Sequence, residues 1–411
     1  MKKLILSLLL IALQSTTAQE VWVPNRSSGN VFVIDVETDT VIDTITIGDA
    51  PILVAFSPNG LIAYITDSSS SIVSVVDVST RSVIATITVG DDPVGAAFSP
   101  DGSIAYIGNS GISDNISVID VATSTVVGTI LTPNALQTQQ VVFAPDGVLA
   151  YSTIDASSLV AIIDVATSTV IDTIVVGSFP GFVAILEDGT RLYTVNVLAD
   201  NVSVIDTATN TVIATIGVGI APFGLGISPD QTIAYVTNTA SSNVSVVDLA
   251  SNTVISTIAV GTEPSSVAFS ADGSKAYVCN SAGGNVSVID TASETVIDTI
   301  TVGNMIGGFW LAASIDPPFS PSVTVIGKSL KNIFLTTTEY YNQIIWTPVD
   351  GVENYTIYRD AGLTDVAGVS STTQFLDRNR NRGQSYSYYL TFTQMSGTVV
   401  LLGSTTVYVE K

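Results

Sequence analysis

One spacing governs this sequence. An Asp that closes a run of the Val-x-Val-Ile-Asp type stands at Asp35, Asp77, Asp120, Asp164, Asp206, Asp248 and Asp290, at intervals of 42, 43, 44, 42, 42 and 42 residues. A second landmark, an aromatic residue in a Val- or Ile-rich run, keeps the same phase: VWVPN at 21, AYITD at 63, AYIGN at 105, AYSTI at 150, LYTVN at 192, AYVTN at 234 and AYVCN at 276. A fixed period of about 40 to 45 residues is the signature of propeller blades. Such a unit cannot bury both its faces alone and must stack against neighbours.

Each unit reads as four short strands. In the clearest copy, PFGLGIS (222 to 228) is followed by the turn Pro229-Asp230-Gln231, TIAYVTN, a polar loop, NVSVVD, a turn through Ala250-Ser251-Asn252, and TVISTIAVG. Val, Ile and Thr enrichment and run lengths of about 5 to 8 residues favour strand over helix. The inner strands are apolar or small on both faces, as suits a sheet sandwiched between two others. The chain begins at a second strand, VWVPN, and ends the repeat with MIGGFWLAAS (305 to 314), which matches a first strand. Circular closure is therefore expected, the last strand completing the first blade and leaving no open sheet edge. The predicted fold is all-β: a seven-bladed β-propeller closed by its C-terminal strand, followed by a small β-sandwich.

These residues resemble the YVTN-type β-propeller repeat family, whose name string stands unaltered at 234 to 238. The resemblance extends to Gly-x-x-Pro turns (Gly90 to Pro93, Gly177 to Pro180, Gly219 to Pro222, Gly261 to Pro264) and to SPDG at 99 to 102, and covers about residues 21 to 314. It implies an exported or cell-surface protein whose propeller binds or adheres. Two copies depart from the pattern: TPNALQTQQ (132 to 140) stands where Gly-x-x-Pro is expected, and the closing turn GNMIGG (303 to 308) lacks Pro.

Four segments follow from this reading. Residues 1–18 have the order of a secretory signal peptide: Lys2 and Lys3, an apolar run from Leu4 to Leu13, then small polar residues up to Ala18. That run falls short of the roughly 20 residues a membrane-spanning helix needs, and no later stretch approaches that length without a charge or turn residue. The propeller occupies 19–314 and a Pro-rich linker 315–321. From 322 to 411 come NQIIWTPV, ENYTIYRD, TTQFLD, SYSYYLTF and STTVYVE. A strand about every 10 to 15 residues suits a sandwich. Trp346, Tyr355, Tyr358, Leu376 and the Gly383-to-Tyr386 step resemble a fibronectin type III domain, which implies that Tyr386 is its corner tyrosine.

Composition narrows the function. Residues 19 to 315 hold 28 acidic and four basic side chains (Arg26, Arg81, Arg191 and Lys275), a net charge of -24. Such a surface repels phosphate backbones and anionic lipid, so nucleic acid is excluded as a partner. There is no His, which removes the commonest general base and transition-metal ligand, and Cys279 is the single Cys, so no intrachain disulfide forms. A thiolate nucleophile would lack its base, so Cys279 reads as a buried strand residue. The repeated Asp reads as a turn residue that accepts a hydrogen bond from the backbone N–H two residues on. Asp101 reads as a hairpin residue. Arg26, Arg81 and Arg191 fall on opposite faces of a propeller and cannot converge on a carboxylate ligand. The sequons at Asn115, Asn201, Asn243 and Asn285 share one repeat position, so strand-start geometry explains them better than glycosylation; those at Asn25 and Asn354 do not share it.

The leading expectation is a monomeric, non-enzymatic scaffold that binds a protein or glycan. Its candidate binding residues are those that break the repeat: Asn134, Gln137, Gln139, Asn304, Met305 and Phe309. A carboxylate-dependent hydrolase of lactonase or glycosidase type in the propeller funnel stays open as an alternative. So does calcium binding by the oxygen-rich loops. No other cofactor is expected.

Overall fold

The structure is a computed structural model that describes residues 19–132, 138–303 and 312–313 and, beyond them, the backbone of seven further strands. The predicted ring forms. Seven four-stranded antiparallel sheets follow one another, six of them built from consecutive strands. Their innermost strands are Pro51–Phe56, Pro93–Phe98, Thr138–Phe143, Pro180–Ile185, Pro222–Ile227 and Pro264–Phe269, in blades 2 to 7. Blade 1 is the closing blade. Its outer strands Glu20–Asn25, Asn30–Asp35 and Thr40–Thr46 come from the N-terminal side, and its innermost strand is Ala312–Ala313, pairing Trp22 with Ala312 and Val21 with Ala313.

The burial gradient across a blade explains its sequence. Second strands such as Ile62–Asp67 are buried at every position after the first, because neighbouring sheets cover both faces, whereas the outermost strands bury a single Ile such as Ile87. The outer strands expose adjacent apolar residues, Val83 and Ile84 among them. A register slip after Val75 leaves Ile84 unpaired, and the slip recurs in every blade. A bulge on an edge strand twists it away from edge-to-edge pairing.

Blade joins blade through the aromatic landmark. Each second-strand aromatic is buried, and in four blades it packs on the Phe that ends the next blade's innermost strand, a position taken by Ile185 in blade 5 and Ile227 in blade 6. Trp22 meets Phe56 at 5.2 Å, Tyr64 meets Phe98 at 4.5 Å, Tyr106 meets Phe143 at 4.6 Å and Tyr235 meets Phe269 at 4.8 Å between ring centroids. Such pairs contribute about 0.5–1.5 kcal/mol each beyond the area they bury. At the closing junction the register places Ala313 where blades 2, 3, 4 and 7 have Phe and blades 5 and 6 have Ile. Tyr277 of blade 7 is held there by polar contacts instead. Its hydroxyl donates to Asp39 Oδ1 at 2.7 Å, and Lys275 Nζ sits 2.6 Å from Asp39 Oδ2. On the other side of blade 1, Trp22 Nε1 donates to Glu20 Oε2 at 2.8 Å, and Arg81 of blade 2 reaches Glu20 at 2.5 Å and Asp43 at 3.4 Å. The closing blade is thus pinned to both neighbours by ion pairs.

The repeated Asp residues close turns, by a contact one residue further along than the sequence reading expected. Asp120 Oδ1 accepts the N–H of Thr123 at 2.8 Å and its hydroxyl at 2.7 Å, three residues on, and Asp35, Asp77, Asp164, Asp206, Asp248 and Asp290 do the same. The residue after that contact is in the left-handed region and turns the chain into the fourth strand. Those bonds to the ionised form hold the Asp120 carboxyl below the usual carboxylate range. Asp101 likewise accepts from Ser99 and Ser103 across its hairpin.

The chain divides into two compact units. The propeller lies within Thr17–Pro317, and the second unit takes in Pro318–Lys411. The second unit has one sheet of Ile326–Ile333, Thr338–Ile345 and Gln374–Asp377, and another in the order Val366–Ser370, Tyr355–Tyr358, Ser385–Thr393, Val399–Tyr408. Trp346 and Asn354 lie outside the described residues.

Candidate functional site

The two faces of the ring differ in kind. One carries the hairpins between first and second strands and the Asp-capped turns between third and fourth. The other, the loop face, carries the connections from second to third strand and from one blade to the next. Arg26 lies on the loop face, whereas Arg81 lies in an Asp-capped turn. Arg191, expected in a turn, is instead the first residue of a second strand, from which it donates to Leu249 O of the next blade at 2.8 Å.

Under the loop face, an amide ladder links strands to connections. Asn238 Nδ2 donates to Asn243 Oδ1 at 2.8 Å and Ser245 Oγ at 2.9 Å, while its Oδ1 accepts Gly219 N at 3.0 Å. A Cβ on Gly219 would collide with Asn238, which is why the connection begins with Gly. Blades 3, 5 and 7 repeat the side-chain part with Asn109, Asn196 and Asn280. The sequon residues Asn115, Asn201, Asn243 and Asn285 are therefore acceptors in this ladder, and Asn25 is buried with its amide on Val302 O. Three blades break the ladder. In blade 1, Asn25 turns its amide to Val302 O and Phe32 stands at the Ser position. Blade 4 replaces all three positions with Ile154, Leu159 and Ala161. Blade 2 carries Asp67, Ile72 and Ser74, and leaves Asp67 Oδ2 and Ser74 Oγ buried without a hydrogen-bond partner.

On the axis lies a cavity of about 140 Å³, lined among the described residues by Leu53, Val54, Ala96, Gln140, Phe182, Gly224, Leu225, Ser266 and Val267, from the innermost strands of six blades. Phe182 and Phe223 pack across the channel against the core of blades 2 and 3. No lining residue is titratable. Gln140 sits on a bulge, its N–H donating to Thr153 Oγ1 at 3.1 Å and its carbonyl accepting from Ser152 at 3.1 Å. Its side chain is 9 % exposed and its Oε1 has no partner.

The rim carboxylates mostly hold loops. Asp91 accepts the backbone N–H groups of Ile112 and of Ser113, the latter at 2.8 Å, and Asp200 accepts Ala221 N at 2.8 Å. Asp92 differs: burial raises its carboxyl above the usual range, against the charge of Arg26 and with that of Asp91. Cys279 is buried, and its thiol is pushed up to about 11 by that burial. Among the described residues no group of three or more His, Cys, Asp or Glu side chains comes together as a metal site, and no helix is long and apolar enough to cross a membrane.

Of the expected binding residues, Asn134, Gln137, Asn304, Met305 and Phe309 lie outside the described residues. The side chain of Gln139 does too, though its backbone is in an innermost strand. Gln140, Phe182, Ser266 and Asp92 were not singled out in the sequence. The available signal for Gln140 was its place in TPNALQTQQ, where the repeat's usual turn is missing; the other three occupy ordinary repeat positions.

No known family profile and no curated protein matches the chain. Solved structures do. Hydrazine synthase from Kuenenia stuttgartiensis is similar at 27 % identity and a TM-score of 0.61, over 66 % of this chain and 92 % of that one. A functionally unknown protein from Desulfotomaculum acetoxidans matches at 15 % identity and 0.64, over 72 % and 99 %. The periplasmic gluconolactonase PpgL of Pseudomonas aeruginosa matches at 18 % and 0.62, also over 72 % and 99 %. The last two likenesses concern the fold alone.

Proposed function

We propose that the protein is an exported, monomeric, non-enzymatic interaction scaffold with YVTN-type repeats, which captures a protein or glycan partner on its loop face. The observation that carries this reading is the axial cavity. Its described walls, from the innermost strands of six blades, offer apolar surface, an amide and a hydroxyl to an occupant. Support for the placement on the loop face is that this face holds the departures from the repeat, whereas the opposite face repeats its hydrogen bonds blade after blade. The second unit's strand order, with first, second and fifth strands in one sheet and fourth, third, sixth and seventh in the other, supports a fibronectin type III-like module there.

Pull-down with the purified protein from envelope and extracellular fractions, followed by the double substitution Gln137→Ala and Gln139→Ala, tests the scaffold reading. Capture should fall while stability changes by less than about 0.5 kcal/mol. Capture that persists in this variant but is lost on changing the hairpin face would overturn the assignment.

A second reading, a carboxylate-dependent hydrolase, is supported by the half-buried carboxyl of Asp92 near Arg26, which burial raises above the usual range, and by the likeness to a lactonase. Lactone hydrolysis that disappears in Asp92→Asn would establish it.

A further inference from the structure

The exposed apolar side chains of this ring are of two kinds. Those on the outer strands, Val83 and Ile84 among them, recur in blade after blade and belong to the repeat. Two on the loop face do not. Leu198, in the second-to-third loop of blade 5, is 72 % exposed, and Ile220, in the connection from blade 5 to blade 6, is 61 % exposed. Leu198 stands where blades 2 and 6 have Ser69 and Ala240, and Ile220 where other connections have Asp91 and Thr262, so the fold needs neither side chain. The break in pattern extends to their neighbours. Val197 replaces the Ser68, Thr239 and Ser281 of other blades, and Phe179 stands before Pro180 where they have Asp92 and Glu263. Phe179 has a φ of 59°, a left-handed conformation that Gly, Asn or Asp adopts more cheaply, so the turn does not explain a Phe there.

These residues form one surface. Val197 N donates to Phe179 O at 2.9 Å, Leu198 N donates to Ser178 O at 3.2 Å, and Asp200 Oδ1 accepts the N–H of Ala221, next to Ile220, at 2.8 Å. With the backbone fixed by these bonds, docking here orders little that is not already ordered. Single exposed apolar residues need no explanation, whereas a joined group rimmed by polar residues marks an interaction site. The rim is acidic. Asp200 is exposed beside Leu198. On the far side of Ile220, Ala240 N donates to the Ile220 carbonyl at 3.2 Å, Thr239 Oγ1 donates to Pro264 O at 2.9 Å, and the exposed Glu263 precedes that Pro. No described Arg or Lys belongs to these loops: Arg26 is in blade 1, and Arg81, Arg191 and Lys275 are held by Glu20, Leu249 O and Asp39.

Charge selects the occupant. A second copy of this chain brings a like net charge of -23, and anionic lipid is repelled in the same way. A neutral glycan has no cation for the two carboxylates. We infer that Phe179, Val197, Leu198 and Ile220 form a docking surface for a basic, apolar segment of a partner protein. Its large apolar side chains cover Leu198 and Ile220, and its Lys or Arg groups meet Asp200 and Glu263. The inference rests on the loop-face scaffold reading and adds the chemistry of the partner.

The probe is a phage-displayed library of random peptides selected on the full chain, the enriched peptides then being titrated by fluorescence polarisation. They should combine Lys or Arg with Leu, Ile, Phe or Trp. Leu198→Ser with Ile220→Thr, which installs residues the repeat carries in other blades and leaves the charge unchanged, should weaken their binding at least about tenfold. Asp200→Asn, which keeps the acceptor for Ala221 N, should weaken it about threefold at low salt and flatten its salt dependence. Accessibility is read on Leu198→Cys: Cys279 is buried, so a thiol reagent should label the introduced thiol as fast as a free one. Slow labelling at every protein concentration would mean that the chain's own second unit covers the surface, and slow labelling only at high concentration that a second copy does; either overturns the inference. It also fails if no peptide is enriched, if the enriched peptides lack basic residues, or if they bind the double variant equally well. In those cases the scaffold reading is still decided by the pull-down with the Gln137 and Gln139 variant. Thermal melts establish that each variant is folded, and if the double variant is not, Ile220→Thr alone and Asp200→Asn decide.

Discussion

The hairpin face and the loop face are made from the same repeat, yet only one of them is uniform. On the hairpin face every blade closes its turn with the same Asp, and each blade's aromatic reaches the next blade. On the loop face the amide ladder survives in four blades, is replaced by apolar residues in blade 4, is left half-made in blade 2 and is redirected to Val302 O in blade 1. The difference separates assembly from adaptation. Blade-to-blade contacts must be broadly alike for the ring to close, and among the described residues the ion pairs that cross them all flank blade 1. The loop face tolerates an orphaned carboxylate oxygen at Asp67 because that defect stays inside one blade.

The contrast can be broken most directly at the closing junction. Replacing Asp39 with Ala would leave the Lys275 ammonium and the Tyr277 hydroxyl with the Val36 carbonyl oxygen in place of their carboxylate partner, and should cost about 1–3 kcal/mol in denaturant unfolding. A cost no greater than that of an exposed turn Asp would show that the junction is not held by this pair.

A second test uses the six tyrosines of blades 2 to 7, whose phenols burial pushes above their ordinary range, to about 12 at Tyr64 and Tyr235. The unfolded chain releases these protons at about pH 10 while the folded ring keeps them, so above that pH the native state binds more protons and stability falls. Melting temperature should therefore drop from about pH 10 upward. A flat profile from pH 8 to about 11.5 would contradict it.

Repairing blade 2 probes the other face. Asp67→Asn with Ile72→Asn rebuilds the ladder of its neighbours and should raise stability by about 1 kcal/mol, measured as a shift in urea midpoint. No gain would mean that the half-made ladder of blade 2 carries no cost. The smallest effect is expected at a single turn: Asp77→Ala loses the bonds from Ser79 and Thr80 on an exposed surface, and should cost roughly 0.5–1 kcal/mol.

Much of this was readable in the sequence, because a period imposes one solution seven times over. Blade number, strand order, closure by the segment ending at Ser314, and burial of Cys279 all follow from phase and residue type. What phase cannot report is contact between blades. That Asp39 differs from its repeat counterparts Ser124 and Ser168 is visible as a letter, but its purpose depends on Ala313 standing in for a Phe. The axial cavity was hidden for the same reason. Gln140 and Ser266 belong to different blades, each surrounded by ordinary strand residues, and they meet only because six strands converge on the axis. The Asp turn closes one residue further on than residue type alone indicates, since which backbone N–H a carboxylate reaches leaves no trace in the spacing.

The closing pairing also sets how the ring would bear load. Val21 lies opposite Ala313 in an antiparallel pair, so the chain enters and leaves the propeller side by side, at the place where every other blade has its first hairpin. Tension applied through the two ends would then act on the same end of that pair and peel it bond by bond, rather than shearing all its bonds at once. Resistance would pass to the side-chain clasps of Asp39 with Lys275 and of Glu20 with Arg81, and salt, which screens such contacts, would lower the force at which the ring opens.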